Sequence, residues 1–266
     1  MQDTSDVKRA FRMPMRIDVA QRARAASIHL LISIAITGLV AALVFGLWYP
    51  GVYSRLASGR ELFLLLTAVD VILGPLLTLA VFNRAKGWAH LRRDLATIGL
   101  IQVAALGYGL HAVFVVRPIA LVLEGKRFRV VSAKDVAVSE LPEARPEYRS
   151  LPITGPWLLG TRLPKSNQER GDTIFKALDG TDVGQRPSFW QPYSESKAGV
   201  LAGSRPLGVL LARYEDRRAE LRTAIQGMKT DVAAARFVPV IARGDWSVVI
   251  DASGRPVGFL PVNGFF

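Results

Sequence analysis

The chain has no cysteine among its 266 residues. Disulfides, thiolate catalysis and Cys-ligated zinc are thereby excluded, whereas a location outside the cytoplasm is not. Histidine is nearly as scarce. His29, His90 and His111 all lie in or beside apolar runs, so residues 117–266 hold no histidine base. Also missing are G-x-S-x-G, H-E-x-x-H, a Walker loop and an EF-hand pattern. The literal G-x-G-x-x-A at Gly107–Ala112 falls inside an apolar run rather than at a strand-to-helix turn, and reads as packing glycines. These absences leave no catalytic constellation, no metal-ligand set and no cofactor motif. The sequence reads as that of a non-enzyme, with no small-molecule substrate evident.

What is abundant is apolar surface. Half of the residues are hydrophobic, yet 21% are charged, and the mean hydropathy is +0.25. Both hold if the hydrophobicity is concentrated in part of the chain. Three apolar runs occupy the first 116 residues, and a charged segment with Pro and Gly follows. The net charge of +12 is evenly split: 12 Lys/Arg against 6 acids up to residue 116, then 22 against 16. With no basic cluster interleaved with aromatics, nucleic acid is not an expected partner. The basic residues mark membrane topology and a solvated surface.

The runs 28–48, 62–82 and 95–116 hold 21, 21 and 22 residues, and each meets the ~20 residues that a helix needs to span hydrocarbon. Arg22 and Arg24 precede the first as in a signal peptide. Its apolar stretch is too long for one, however, and Trp48-Tyr49-Pro50 stands where a small-residue cleavage site would be. Lys8, Arg9, Arg12, Arg16, Arg22 and Arg24 flank the first span, and Arg84, Lys86, Arg92 and Arg93 separate the second from the third. Only Arg55 and Arg60 lie between the first and second. The positive-inside rule then predicts a cytoplasmic N-terminal segment (1–26), a three-helix membrane domain (27–116) and a C-terminal domain (117–266) on the far side, in a bacterium the periplasm. Trp48, Tyr49 and Tyr53 are expected in an outer aromatic belt.

Polar and helix-breaking residues inside the spans are the candidate intramembrane site. Asp70 and the Gly74-Pro75 pair interrupt the second span. A charged carboxylate facing lipid is costly, so Asp70 should face protein. Depth counting places Tyr108 of the third span at its level and His111 a turn shallower, and an internal bond from Asp70 to one of these is expected. Proline removes one backbone bond and kinks the helix just below the acid. On the first span Gly38, Ala42 and Gly46 form a ridge of small residues suited to close helix packing, within the chain or with a partner.

Beyond Arg117-Pro118 the pattern becomes that of a small α+β domain with an antiparallel sheet. IALVLEGKRFRVV (119–131) reads as a strand or hairpin and GPWLLGTRLP as another strand. Helices are predicted over 169–178 and from Pro206 to Gln226, and two or three closing strands turn at Ser253-Gly254. QRPSFWQPY (185–193) is expected to be a structured loop. Phe189, Trp190 and Tyr193 either form an exposed partner contact, since proline-flanked aromatics give contact area at low ordering cost, or plug the domain's core.

Taken together, SIHLLISIAITGLVAALVFGLWYPG (27–51), GRELFLLLTAVDVILGPLLTLAVFN (59–83), LRRDLATIGLIQVAALGYGL (91–110), RPIALV (117–122) with FRVV (128–131), and QRPSFWQPY resemble the type IV pilin accessory proteins of the TfpX/TfpZ type. The similarity runs from about Ala26 to the end, and residues 1–25 look like a private extension. The resemblance implies a non-enzymatic inner-membrane protein that stabilises a cognate major pilin or modulates its assembly, and so a role in pilus biogenesis and twitching motility. It brings no catalytic residue and no cofactor. It also offers Asp70 a second partner, the N-terminal amine of a processed pilin, which can reach it only if the pilin is partly lifted from the membrane. Two other classes fit parts of the sequence. A small oligomeric, proton-coupled transporter would use Asp70, and a membrane-anchored periplasmic sensor would use the domain, although the cytoplasmic segments are short for an output module.

Overall fold

A computed structural model describes residues 19–83, 87–228 and 230–266. The N-terminal Lys8, Arg9, Arg12 and Arg16, with Arg84 and Lys86 of the second loop, lie outside the described residues. Three helices are long and apolar enough to cross a membrane: Val19–Trp48, Gly59–Val81 and Trp88–Val115. Two of them begin several residues before the apolar runs, because the helix continues into the polar flank where water can satisfy its ends. The chain divides into two compact units, Met1–Leu39 with Leu65–Gly109, and Val40–Leu64 with Leu110–Phe266.

In the first unit the spans present Leu31, Leu39, Leu65, Leu100 and Ile101 outward, as lipid-facing helices do. Inward contacts are few and close. Leu66 lies where a side chain at Gly109 would stand, 2.0 Å from an added Cβ. Small residues let membrane helices approach in this way. Arg22 donates to the carbonyl of Ala80 at 3.3 Å, tying the start of the first span to the end of the second.

The second unit is built on an eight-stranded sheet: β1 (Pro118–Glu124), β2 (Arg127–Ser132), β3 (Trp157–Thr161), β4 (Trp190–Pro192), β5 (Arg205–Pro206), β6 (Arg236–Ala242), β7 (Gly244–Ile250) and β8 (Pro256–Leu260). The spatial order is β4-β3-β1-β2-β6-β7-β8, with β5 also on β6. Of the two readings of 119–131, a strand or a hairpin, the hairpin is the one found: β1 and β2 pair antiparallel and turn at Gly125, φ 62°, a conformation that glycine adopts at no steric cost. The sheet is mixed rather than antiparallel: β1 pairs with β3 and β2 with β6 in parallel. The physical reason is connection length. The long proline-bearing segment 133–156, with its short 3-10 turns, lets β3 return beside β1 in the same direction.

All seven residues of β1 are buried, as befits a continuous apolar run at the centre of a sheet. Leu121, Phe128, Val240, Trp246 and Val248 pack with Leu56 from the loop between the first two spans. The Arg243 amide donates to the Leu56 carbonyl at 2.9 Å. The expected aromatic belt is therefore corrected. Tyr49 is fully buried, its hydroxyl donating to the carbonyl of Val113 at 2.9 Å, and Tyr53 packs against the sheet core. Trp48 packs against Phe114 in a tilted pair, ring centroids 4.9 Å apart. Helical spacing over 206–226 also breaks. Leu207–Arg213 and Arg218–Gln226 are separate helices around a non-helical Tyr214, φ −116°. The Tyr214 hydroxyl is held by the Asn263 carbonyl at 3.0 Å and Arg217 by that of Pro261 at 3.1 Å, so tertiary anchors override local propensity here.

Candidate functional site

The second span carries its interruption at Asp70. Residues Val69–Leu73 form a π-helical turn, and an α-helix resumes at Gly74–Val81 with Pro75 in its first turn. Proline lacks the donor that an unbroken α-helix would use at this point, and the wider turn is how the helix accommodates it. Asp70 is buried at 8% exposure, and its Oδ1 has no hydrogen-bond partner among the described residues.

Around it is a cavity of about 160 Å³, lined by His29, Ser33, Thr37, Asp70 and Gln102 together with apolar side chains. Helical phase assembles this lining. His29, Ser33 and Thr37 repeat every four residues on the first span, and Gly99, Gln102, Val103 and Leu106 follow i, i+3, i+4, i+7 on the third. His29 Nδ1 bonds Thr78 Oγ1 at 2.5 Å. The Gln102 amide donates to the backbone carbonyl of Asp70 at 3.3 Å. Gly74 makes that approach possible, since a Cβ there would stand 2.1 Å from Gln102 Nε2 and 3.1 Å from His29 Nε2.

Tyr108 does not join the site. It lies two residues beyond the pocket-lining Leu106, roughly 200° around the helix, and is 77% exposed. Matching depth along a span without matching phase produced the Asp70–Tyr108 expectation. His111 is likewise exposed. What sequence reasoning missed is the company Asp70 keeps. The signal was present, in the four-residue spacing of the polar residues His29, Ser33 and Thr37. Chemically, a carboxylate with one buried oxygen unpartnered among the described residues, beside an imidazole and a carboxamide in a small cavity, can accept a proton or a hydrogen bond from a group entering the pocket.

Gly38, Ala42 and Gly46 are exposed, with open space where a Cβ would stand at either glycine. Among the described residues this ridge has no packing partner on Gly38 or Gly46. The aromatic segment resolves the other way. Phe189, Trp190 and Tyr193 are buried at 0%, 1% and 7% exposure, so as side chains they plug the core and offer no contact area. Trp190 Nε1 donates to the Gly184 carbonyl at 2.8 Å. Burial pushes the Tyr193 phenol up to about 12, and its hydroxyl donates to Gly254 at 2.5 Å.

Two buried carboxylates organise the surrounding loops. Glu124 accepts from Arg127 (2.8 Å), Arg129 (3.0 Å) and the Gly184 amide (2.9 Å). Glu140 accepts from Lys176 (2.7 Å), Arg186 (2.8 Å) and Ser188 (2.5 Å). Burial works to raise the Glu140 carboxyl, and the bonds from Lys176, Ser188 and Arg186 reverse this and hold it below the ordinary range. Among the described residues no group of His, Asp and Glu gathers as a metal site.

Three spans with a polar pocket, followed by a mixed-sheet α+β domain, define a membrane-anchored protein with a folded water-soluble part. The model of the fimbrial assembly protein FimB family matches residues 17–58. Over 246 residues the chain is 33% identical to the fimbrial assembly protein of serogroup I from Dichelobacter nodosus, covering 91% of this chain and 96% of that one. The serogroup E1 protein of the same organism is 32% identical over the same shares. That of serogroups C1 and C2 is 36% identical over 122 residues, 46% of this chain and 93% of the relative. The chain belongs to this fimbrial assembly family, in agreement with its resemblance to type IV pilin accessory proteins. No solved structure matches it significantly.

Proposed function

We propose that this chain is an inner-membrane accessory of type IV fimbrial biogenesis that engages the major fimbrial subunit and stabilises it or assists its assembly. The observation that carries the reading is the similarity, over 91% of this chain, to proteins named for fimbrial assembly. A fimbrial subunit that starts in the membrane with an apolar helix and a water-soluble head would need a partner offering both environments. The three spans and the sheet domain supply them. In this reading the N-terminus is cytoplasmic and the sheet domain periplasmic, supported by the basic flanks of the first span and second loop. Alkaline phosphatase fused after residue 130 is then active, and a fluorescent protein that matures only in the cytoplasm stays dark there; the reverse result removes the periplasmic assignment. The function is tested by purifying the tagged, detergent-solubilised full chain from fimbriate cells. The reading expects the major fimbrial subunit to co-purify, and its absence under conditions that preserve other membrane complexes contradicts it.

A further inference from the structure

The helix Asn167–Leu178 is turned inside out. Its start is well fixed, because Ser166 Oγ accepts the Glu169 amide at 3.1 Å. At ~100° per residue, Glu169, Thr173 and Lys176 fall within an arc of roughly 60°. That polar arc faces the domain: Glu169 is clamped by Arg162 at 2.6 and 3.0 Å, Thr173 takes a bond from Arg186 at 3.4 Å, and Lys176 reaches the buried Glu140 at 2.7 Å. Ile174, Phe175 and Leu178 fall on the opposite side. They are 58%, 69% and 78% exposed, and the helix buries no residue at all. An ordinary surface helix does the reverse, burying its apolar stripe. Specific ion pairs therefore hold an apolar face outward, which is a costly arrangement unless something covers it.

We infer that this face docks an apolar strip on the water-soluble part of the fimbrial subunit; the inference rests on the function proposed above. Two other occupants fit less well. Membrane-surface helices are rich in Lys and Arg on their polar side, whereas residues 163–179 carry three basic and three acidic side chains. The helix also hangs from the wrong end of the sheet for lipid contact. Arg117 and Gly155, near the starts of β1 and β3, bond Phe114 and Leu47 at the ends of the third and first spans. Arg162, which holds the helix, follows the far end of β3. A second copy of the chain is disfavoured by area. Three partly exposed side chains offer roughly 300–400 Å², about half of the ~800 Å² that each partner of a stable complex buries. A surface of that size suits a partner that must be held and then released into a growing fibre.

A photo-crosslinking amino acid placed at Phe175 of the full chain, in fimbriate cells, tests this. The expected result is an adduct with the mass of chain plus fimbrial subunit, at least fivefold weaker in an Ile174→Ser/Leu178→Ser background that accumulates normally. The same probe at Glu147, an exposed site elsewhere on the domain, gives no such adduct. An adduct of two copies, a phospholipid adduct, or an adduct only with some other protein overturns the inference. So does the lack of any adduct at Phe175 while the subunit still co-purifies, in which case the proposed function stands and only the surface is wrong. If the subunit does not co-purify either, both fall.

Discussion

Gln102 occupies the space that a side chain at position 74 would need. Its Nε2 lies 2.1 Å from the Cβ that alanine would place there, and the same nitrogen donates to the Asp70 carbonyl at 3.3 Å. Gly74→Ala should thus push the carboxamide out of its bond and destabilise the membrane-spanning part by about 1 kcal/mol. In a Gln102→Ala background that obstruction is gone and only the 3.1 Å approach to His29 Nε2 remains, so the same substitution costs clearly less. A double-mutant cycle on the solubilised protein, by thermal or SDS unfolding, checks this. Equal effects of Gly74→Ala in the two backgrounds would show that the two residues are not coupled.

The Asp70 carboxyl, whose Oδ1 has no partner among the described residues, separates stability from function. Insertion scales charge ~2.5–3.5 kcal/mol for an acid at mid-span, so Asp70→Leu should accumulate to at least the wild-type level. If the pocket serves assembly, fimbriation nevertheless falls clearly, whereas Asp70→Asn, which keeps an acceptor, loses little. Immunoblots of membranes beside counts of surface fimbriae provide both readings. A fully fimbriate Asp70→Leu strain would remove the pocket from the mechanism.

Trp190 is a core residue, and its removal should behave as such. Trp190→Ala leaves a large cavity and frees the Gly184 carbonyl, at a cost of ~3–5 kcal/mol. Phe175→Ser, on the outward face of the helix Asn167–Leu178, should stay within ~0.5 kcal/mol of wild type. Denaturant unfolding of the two variants ranks them, and a stable Trp190→Ala protein would contradict its assignment to the core.

Stability should fall on acidification. Bonds from Arg162 and from the Lys165 amide hold the Glu169 carboxyl at about 2, and Glu140 is held below its ordinary value as well. Folded values below unfolded ones mean that the contribution is complete above the ordinary carboxylate range and is lost as pH falls through the folded values. The free energy of unfolding should therefore decline from about pH 4.5 toward about pH 2, the ordinary and folded values of the Glu169 carboxyl. Glu140→Gln should flatten part of that slope. At neutral pH it destabilises by on the order of 3 kcal/mol, because the buried Arg186 loses its charge partner. An unchanged slope in Glu140→Gln would show that this carboxylate does not titrate with unfolding.

The architecture was legible in proportion to how local its causes are. Apolar run length marked all three spans and Ser253-Gly254 marked a turn, whereas 119–131 could be read as one strand or as a hairpin. Long-range choices were not. Nothing local to Leu56 announces that it enters the core of a sheet begun over sixty residues later, and nothing in 206–226 shows that Tyr214 will be seized by Asn263. Asp70 was recognisable from its chemistry alone, but its neighbours depended on helical phase across three spans, which depth counting ignores. The outward face of Ile174, Phe175 and Leu178 was hidden for a similar reason. The pattern identifies an amphipathic helix, and only Arg162, Arg186 and Glu140 decide which side turns inward.

The central claim is that this protein serves fimbrial assembly, and counting fimbriae tests it most directly. The measurement compares surface fimbriae, by electron microscopy and by the subunit recovered after shearing, in wild-type cells, cells lacking this chain, and cells with the chain restored. The account predicts that fimbriae are lost or sharply reduced without the chain and recover with it, while transcription of the subunit is unchanged. Fimbriae of normal number and length in its absence would contradict it.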